Sequence, residues 1–232
     1  MREIVFDTET TGLNPLGGDR MVEIGCIEMV NRIETGRHYH AYFCPERDMP
    51  FEAEMVHGLS SAFLSDKPLF GEKVEELLAF LEDSPLVAHN AGFDFGFLNT
   101  ELERCGRAAV PMSRMIDTLT LARSKHPGAK HSLDALCVRF GIDRSHRVKH
   151  GALLDAELLA QVYVELTGGR QIGLGLVAEA GSVSVNASSG PVTVRELRPA
   201  RPHAPLLEEL ERHRAFIAKL ANPLWERFLP AG

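Results

Sequence analysis

Two carboxylates lie two positions apart in the first apolar segment of the chain, Ile4-Val5-Phe6-Asp7-Thr8-Glu9. Side chains two apart on a β-strand point to the same face, so Asp7 and Glu9 should lie side by side. Two negative charges this close repel and raise each other's pKa. A divalent cation relieves that repulsion, and hard cations such as Mg²⁺ prefer carboxylate oxygens. The alternative, an edge strand with two ordinary solvent-facing acids, fits poorly with so apolar a segment.

Two later segments add acids and a histidine where strands and helices should begin or end. Asp94 follows the apolar run Leu86–Ala88 and lies in a predicted first helical turn, where its charge also suits the helix dipole. Asp155 lies beside the apolar stripe of a later helix, and a carboxylate near a core face needs a partner or a metal ion. His150 precedes it by little more than one helical turn. Each residue has a structural explanation alone, but together they indicate a metal site built from separate elements.

The hydrophobic pattern indicates which elements position these residues. The opening strand is followed by predicted strands over residues 21–29 and 35–43, and these three strands should form a meander. Further along, short predicted strands at 86–88 and 116–118 alternate with predicted helices over 70–81, 93–105, 132–140 and 154–166. This order predicts a mixed sheet with helices packed on it and with the first strand near its centre.

Composition indicates a cytoplasmic protein with one domain and an appendage. The 232-residue chain has a net charge of −7, which argues against a broad nucleic-acid-binding surface but not against an enzyme that holds a few nucleotides through metal ions. Its four cysteines are scattered without a Cys-x-x-Cys pair, which favours reduced thiols over zinc ligands or disulfides. No stretch resembles a signal peptide or a membrane span, so we expect no membrane partner.

Three ordered motifs resemble the DEDDh family of 3′–5′ exonucleases. They are Asp-x-Glu-Thr-Thr-Gly at residues 7–12, His-Asn-Ala-x-Phe-Asp at 89–94 and His-x-x-x-x-Asp at 150–155. Val56-His57-Gly58 and Thr167-Gly168-Gly169 resemble, within that family, the epsilon proofreading subunits of bacterial DNA polymerase III. The resemblance covers roughly residues 1–170, which would form the exonuclease domain. It implies a ribonuclease-H-like α/β fold, a mixed five-stranded sheet flanked by helices.

The resemblance assigns roles to the candidate site residues. It implies that four acids hold two divalent cations, Mg²⁺ or Mn²⁺, and these acids are Asp7, Glu9, Asp94 and Asp155. It makes His150 the residue that takes a proton from the attacking water, a task that an ordinary histidine pKa of about 6.5 suits. The residues expected to contact the single-stranded 3′ end of DNA are Thr8, Thr10, His57 and Gly58, the threonines through backbone amides.

Two further features near the site have competing interpretations. A basic cluster precedes His150 and is either a solvated loop or, as we favour, a lip that contacts phosphates; it comprises Arg139, Arg144, Arg147 and Lys149. His89 ends a predicted strand close to Asp94 and is interpreted as structural, with hydrogen bonds to neighbouring backbone.

Residues 171–200 are rich in Gly, Ser, Ala and Val and lack a helical period, which predicts a flexible linker. The linker starts with a segment that resembles sliding-clamp-binding peptides of the Gln-x-x-Leu-x-Leu class, with Gln171, Leu174 and Leu176 as anchors. Residues 201–232 follow as a predicted helical tail, opened by Pro205. The resemblance implies that Leu224 and Trp225 in this tail bind the catalytic (alpha) subunit of DNA polymerase III, and a further small core subunit is another candidate partner.

The predicted function is therefore a proofreading 3′–5′ exonuclease in the nucleoid-associated bacterial replisome. Two alternatives remain at this point: an exoribonuclease that trims RNA with the same five residues, and a non-catalytic scaffold on the same fold. The presence of all four acids and the histidine favours an enzyme, and the linker and tail favour proofreading over RNA trimming.

Overall fold

The computed structural model describes residues 1–145, 147, 149–169 and 205–220. Five strands form one sheet: β1 (Arg2–Thr10), β2 (Met21–Val30), β3 (Ile33–Tyr42), β4 (Leu86–Ala88) and β5 (Met115–Asp117). Their order is β3-β2-β1-β4-β5. β1 pairs antiparallel with β2 and parallel with β4, so the sheet is mixed and its first strand is central, as predicted.

Helices cover both faces of this sheet. They are α1 (Phe51–His57), α2 (Ser61–Leu64), α3 (Phe70–Leu81), α4 (Gly92–Arg104), α5 (Thr118–Lys125), α6 (Leu133–Phe140) and α7 (Ala152–Leu166). The four predicted helices appear at their predicted places, within two residues at each end. The short helices α1, α2 and α5 were not predicted, because so few turns carry too little hydrophobic periodicity to be recognised.

Alternation along β1 sends its side chains into two separate cores. Ile4 and Phe6 lie in the core beneath α3 and α4, where the Phe6 ring meets that of Phe95 edge to face at 5.8 Å. Val5 lies on the opposite face, in the core formed with α7. Because side chains two apart share a face, Asp7 and Glu9 extend the Val5 row toward the start of α7. The predicted side-by-side placement of the two acids is thus confirmed.

The chain divides into two units, Met1–Leu176 and Val177–Gly232. The described part of the second unit forms helix α8 (Leu207–Ile217), which starts just after Pro205. Among the residues that the structure describes, no helix is long and apolar enough to span a membrane. Several predictions fall outside these residues: the linker over 171–200, the clamp-binding residues Gln171, Leu174 and Leu176, and the tail residues Leu224 and Trp225.

Candidate active site

The four predicted acids converge at the carboxyl end of β1. Asp7 and Glu9 come from the strand itself, Asp94 from the first turn of α4, and Asp155 from the first turn of α7. Glu9, Asp94 and Asp155 are buried, with 8%, 3% and 3% of their surface exposed. The carboxylates of Glu9, Asp94 and Asp155 all act electrostatically on Asp7.

Gly25 brings the start of α7 onto the sheet directly opposite Asp7. It is paired with Asp7 across the β1–β2 ladder. A Cβ at Gly25 would lie 2.3 Å from both the backbone N and the Cα of Leu153, closer than any non-bonded contact. Sequence reasoning missed this residue, although a glycine inside a strand often marks such a close backbone approach. The contact explains how Asp155, in the same helical turn, reaches the end of β1.

A β-bulge lies at the same strand end. The β1–β2 register shifts between Glu9, which pairs with Glu23, and Thr10, which pairs with Met21. Bulges redirect side chains and commonly lie next to active sites. Beyond the bulge, the Thr10 hydroxyl donates to the Gly12 carbonyl oxygen at 2.6 Å, which fixes the turn that follows the strand.

Asp94 is held from two directions. The Thr8 hydroxyl donates to Asp94 Oδ1 at 2.7 Å. The turn before α4 is held by Asp117, whose Oδ1 accepts the backbone N–H groups of Asn90 and Ala91 at 3.0 and 3.3 Å. Asn90 needs this support because its φ of 62° lies in the left-handed region. Asp117 was also missed from the sequence, although its position between a strand and a helix is typical of an N-cap residue.

Burial and mutual repulsion raise the pKa of three of the acids. Burial raises the pKa of Asp7 well above its ordinary value, and the carboxylates of Asp94, Glu9 and Asp155 raise it further. Burial also raises the pKa of Glu9 to about 8, with additional contributions from Asp155 and from Glu23 across the ladder. The pKa of Asp94 is raised to about 7, mainly by burial, although hydrogen bonds from Thr8 oppose the rise. Ionised carboxylates are therefore costly here unless a cation compensates them.

The site has a donor set that fits a divalent cation. Glu9, His150 and Asp155 each offer a ligand atom, and these three atoms lie within 4.8 Å of one another. Carboxylate oxygens are the ligands that hard cations prefer, and burial together with the neighbouring carboxylates raises the pKa of Asp7 and of Glu9. Asp7 and Asp94 bring further carboxylates to the same strand end. The residues thus fit the group that the sequence predicts.

His150 lies at the border between this cluster and solvent. Its side chain is 49% exposed, and its Nδ1 lies 3.2 Å from Asp155 Oδ2. The ring also accepts a hydrogen bond at Nδ1 from Nη2 of Arg147 at 2.7 Å. An imidazole in this position can reach both water and the acids, which suits proton transfer.

The basic cluster is only partly the exposed lip that we expected. Only 8% of the Arg147 side chain is exposed, and it pairs with Asp155 and Asp134 rather than facing solvent. Arg144 is half-exposed and also pairs with Asp134. Arg139 and Lys149 are exposed. The basic side chains that could contact phosphates are therefore these two and Arg144.

His57 and Gly58 lie beside the segment that carries His150, because the backbone N–H of His150 donates to the Val56 carbonyl at 3.3 Å. Lys149 packs over Gly58, the left-handed C-cap of α1. Burial lowers the pKa of His57, and its Nδ1 accepts the Leu59 N–H at 3.0 Å. The proton of the neutral ring is therefore on Nε2, which lies near the backbone of Thr10 but makes no close hydrogen bond within the described part of the chain.

His89 is structural, as interpreted from the sequence. Its Nδ1 is 2.9 Å from the Thr118 hydroxyl, and that hydroxyl donates in turn to the Ala88 carbonyl at 3.2 Å. Burial lowers the pKa of His89. The hydrogen bonds join the ends of β4 and β5.

Comparison with known proteins decides which family this site belongs to. The sequence profile of the exonuclease family matches residues 4–163. The chain is 49% identical to the DNA polymerase III subunit epsilon of Rickettsia typhi, over 95% of this chain and 97% of that protein. The chain belongs to the DNA polymerase III epsilon-subunit family. It is accordingly a 3′–5′ proofreading exonuclease that depends on divalent metal, and neither RNA trimming nor a purely non-catalytic role is favoured.

Solved structures agree with this assignment. Exonuclease X in complex with 5′ overhanging duplex DNA has 25% sequence identity and a TM-score of 0.56, with 71% of this chain and 90% of that chain covered. The nuclease domain of 3′hExo, a DEDDh family member bound to rAMP, has 16% identity and a TM-score of 0.62, with 72% and 91% covered. The second likeness shows the fold alone. It confirms the predicted five-stranded mixed sheet flanked by helices.

Proposed function

We propose that the chain removes nucleotides from the single-stranded 3′ end of DNA with two divalent cations, Mg²⁺ or Mn²⁺. The cations would be held by Asp7, Glu9, Asp94 and Asp155. The observation that carries this proposal is the convergence of four acids at the end of β1, three of them with a raised pKa. Cations bound there supply activation of water and stabilisation of the negative charge that develops on the phosphate and the leaving oxygen.

We further propose that His150 is the general base. Its half-exposed ring can accept a proton from the attacking water, and Asp155, whose Oδ2 lies 3.2 Å from Nδ1, would stabilise the imidazolium that forms. The four acids cannot perform this role as readily, because bound cations would occupy their oxygens. His150 also lies among the atoms that can reach a cation, so metal affinity must be measured alongside rate to separate the two roles.

The terminal nucleotide is proposed to bind between the end of β1 and the end of α1. Thr8 and Thr10 at the end of β1 would offer backbone amides to the nucleotide. His57 and Gly58 at the end of α1 would border the nucleotide on its other side. Support comes from His57, whose buried Nε2–H is near the backbone of Thr10, makes no close hydrogen bond among the described residues and can donate to an oxygen of the nucleotide. The Lys149 side chain, which covers Gly58, adds positive charge beside this position.

Digestion of 3′-labelled single-stranded DNA tests the catalytic proposal. We expect Asp7→Ala to abolish digestion in Mg²⁺ while the protein stays folded, because removing one acid relieves repulsion among the others. His150→Ala should slow digestion about 10²–10⁴-fold with a much smaller change in Mn²⁺ affinity. Asp66→Ala, which removes an exposed acid far from β1 in sequence, is the control. Near-normal digestion by Asp7→Ala would contradict the proposed metal site, and an equal loss of rate and metal affinity in His150→Ala would make His150 a ligand.

The partners are proposed from the family and from the tail. We infer that residues 171–200 act as a tether between the exonuclease domain, residues 1–170, and a polymerase-binding tail, residues 201–232. Leu224 and Trp225 would bind the catalytic (alpha) subunit of DNA polymerase III, with a further small core subunit as a second partner of the assembly. Exposed apolar side chains on α8, among them Leu207 and Phe216, support a tail that binds another protein. Such an assembly acts in the cytoplasm, beside the nucleoid.

The sliding clamp is proposed as a separate partner of Gln171, Leu174 and Leu176. Changing all three to alanine should weaken clamp binding and leave digestion of free single strands unchanged.

A chain ending at Gly169 should keep the digestion of single strands and no longer co-purify with the polymerase. Trp225→Ala in the full chain should weaken the complex with the polymerase by about 2 kcal/mol or more. Full polymerase affinity after truncation would show that the tail is not the polymerase-binding segment. Unchanged clamp binding in the triple alanine variant would show that Gln171, Leu174 and Leu176 do not bind the clamp.

A further inference from the structure

The guanidinium of Arg147 lies inside the acidic cluster. Its Nε donates to Asp155 Oδ1 at 2.5 Å and its Nη2 to Asp155 Oδ2 at 2.6 Å, so both carboxylate oxygens are engaged. Its Nη1 donates to Asp134 Oδ1 at 2.9 Å. With 8% of its side chain exposed, Arg147 forms a nearly buried bidentate pair, called the fork below, with Asp155, a proposed metal ligand.

The charge of Arg147 extends beyond Asp155. It lowers the pKa of Asp7 and of Glu9, in opposition to the neighbouring carboxylates. Its Nη2 also donates to Nδ1 of His150 at 2.7 Å. Of the three residues whose ligand atoms converge within 4.8 Å, Arg147 thus contacts Asp155 and His150 and acts electrostatically on Glu9.

A guanidinium and a divalent cation compete for the same oxygens. Both bind carboxylate oxygens, the guanidinium through charged hydrogen bonds and the divalent cation through direct coordination, so a cation that binds Asp155 must replace at least one N–H of Arg147. Arginine stays protonated over the whole physiological pH range, so deprotonation cannot relieve this competition. Asp134 offers a second partner outside the cluster, and Arg147 can therefore leave Asp155 without losing all of its hydrogen bonds.

We propose that Arg147 is an internal counter-cation of the active site, which partly neutralises the acids and which a divalent cation must displace from Asp155 in order to bind. Displacement also frees Nδ1 of His150, the nitrogen that accepts from Arg147. Metal binding and the release of the proposed base are thereby coupled. The inference rests on the proposed function only in taking Asp155 as a metal ligand.

Calorimetric titration of the full chain with Mn²⁺, without DNA, tests the displacement. Arg147→Gln should bind Mn²⁺ roughly ten- to a hundredfold more tightly than the wild type, because charged hydrogen bonds no longer have to be broken and a repelling charge is gone. Arg147→Lys keeps the charge without the fork and should fall between the two. The matched control is Arg144→Gln, which removes a guanidinium that also pairs with Asp134 but does not touch Asp155, and its affinity should equal that of the wild type.

Thermal unfolding separates this role from a merely structural one. In EDTA, Arg147→Gln should melt below the wild type, because its acids have lost their counter-charge. Saturating Mn²⁺ should remove most of that difference, since the cations then supply the charge. A structural role would leave the same deficit in both conditions, and that result would overturn the inference.

The side-chain resonance of Arg147 Nε–Hε gives a direct reading in the wild type, assigned by its loss in Arg147→Lys. Its chemical shift should change from the value of the Asp155-paired guanidinium as Mg²⁺ free of Mn²⁺ is added. Equal or weaker metal affinity in Arg147→Gln, or a resonance insensitive to Mg²⁺, would overturn the counter-cation role alone. Failure of every variant and of the wild type to bind a divalent cation would overturn the proposed metal site and this inference with it.

Discussion

Gly25→Ala tests whether a backbone contact sets the position of Asp155 in the proposed metal site. In the structure, the new Cβ would lie 2.3 Å from the Cα and N of Leu153 and 2.4 Å from the carbonyl carbon of Ala152. All three are backbone atoms of the first turn of α7, so no side-chain rotation can relieve the clash. The helix start must therefore move away from β2, or the strand must bend.

The size of the shift follows from ordinary contact distances. Moving an atom from 2.3 Å to a normal carbon contact of about 3.5 Å requires roughly 1 Å of displacement. Overpacking of this kind costs about 1–3 kcal/mol, which in a chain of this size lowers the melting temperature by roughly 2–12 °C. Asp155 lies in the same turn and should move with it, and a misplacement of about 1 Å at a reacting centre can cost about 10²-fold in rate.

The assay combines calorimetry with digestion of 3′-labelled single strands at saturating Mg²⁺. Gly96→Ala is the matched control: it lies on α4, which carries Asp94, and its new Cβ would meet only Pro15 Cγ at 3.7 Å, an ordinary contact. That variant should be as stable as the wild type or more stable by about 0.5–1 kcal/mol, because alanine favours a helix. If Gly25→Ala melts and digests like the wild type, the close approach does not place Asp155 and the reasoning is wrong.

Further predictions concern the acids and their supports. Thr8→Val removes the 2.7 Å hydrogen bond that holds the pKa of Asp94 down, so the acid limb of the pH–rate profile should move to higher pH, whereas Thr8→Ser should not move it. The folded state binds extra protons because the pKa of Glu9 is raised from 4.5 to about 8; stability measured in EDTA should therefore fall as pH rises from about 4.5 to about 8, and saturating Mg²⁺ should flatten that dependence. Asp117→Ala frees the turn at Asn90 and should weaken Mn²⁺ binding by calorimetry, and unchanged affinity would show that Asp117 does not position Asp94.

Most of the fold and the acids of the site could be predicted from the sequence. The central strand, the shared face of Asp7 and Glu9, and the later strands and helices were predicted because each follows from periodicity among neighbours in the chain. Asp94 and Asp155 were found because they begin helices at motif spacing. The structure added the short helices α1, α2 and α5, whose formation depends on packing rather than on a pattern long enough to read.

Contacts between distant parts of the chain were beyond the reach of the sequence. Gly25 meets Leu153, Asp117 holds Asn90, and Arg147 pairs with Asp134 as well as with Asp155; only the folded chain brings these residues together. The basic segment shows the difference most clearly. Its charges suggested a lip that contacts phosphates, but folding buries the Arg147 guanidinium against a carboxylate. A sequence records which charges are present, whereas their desolvation and their separation in space, which set pKa values and partners, are decided by the tertiary structure.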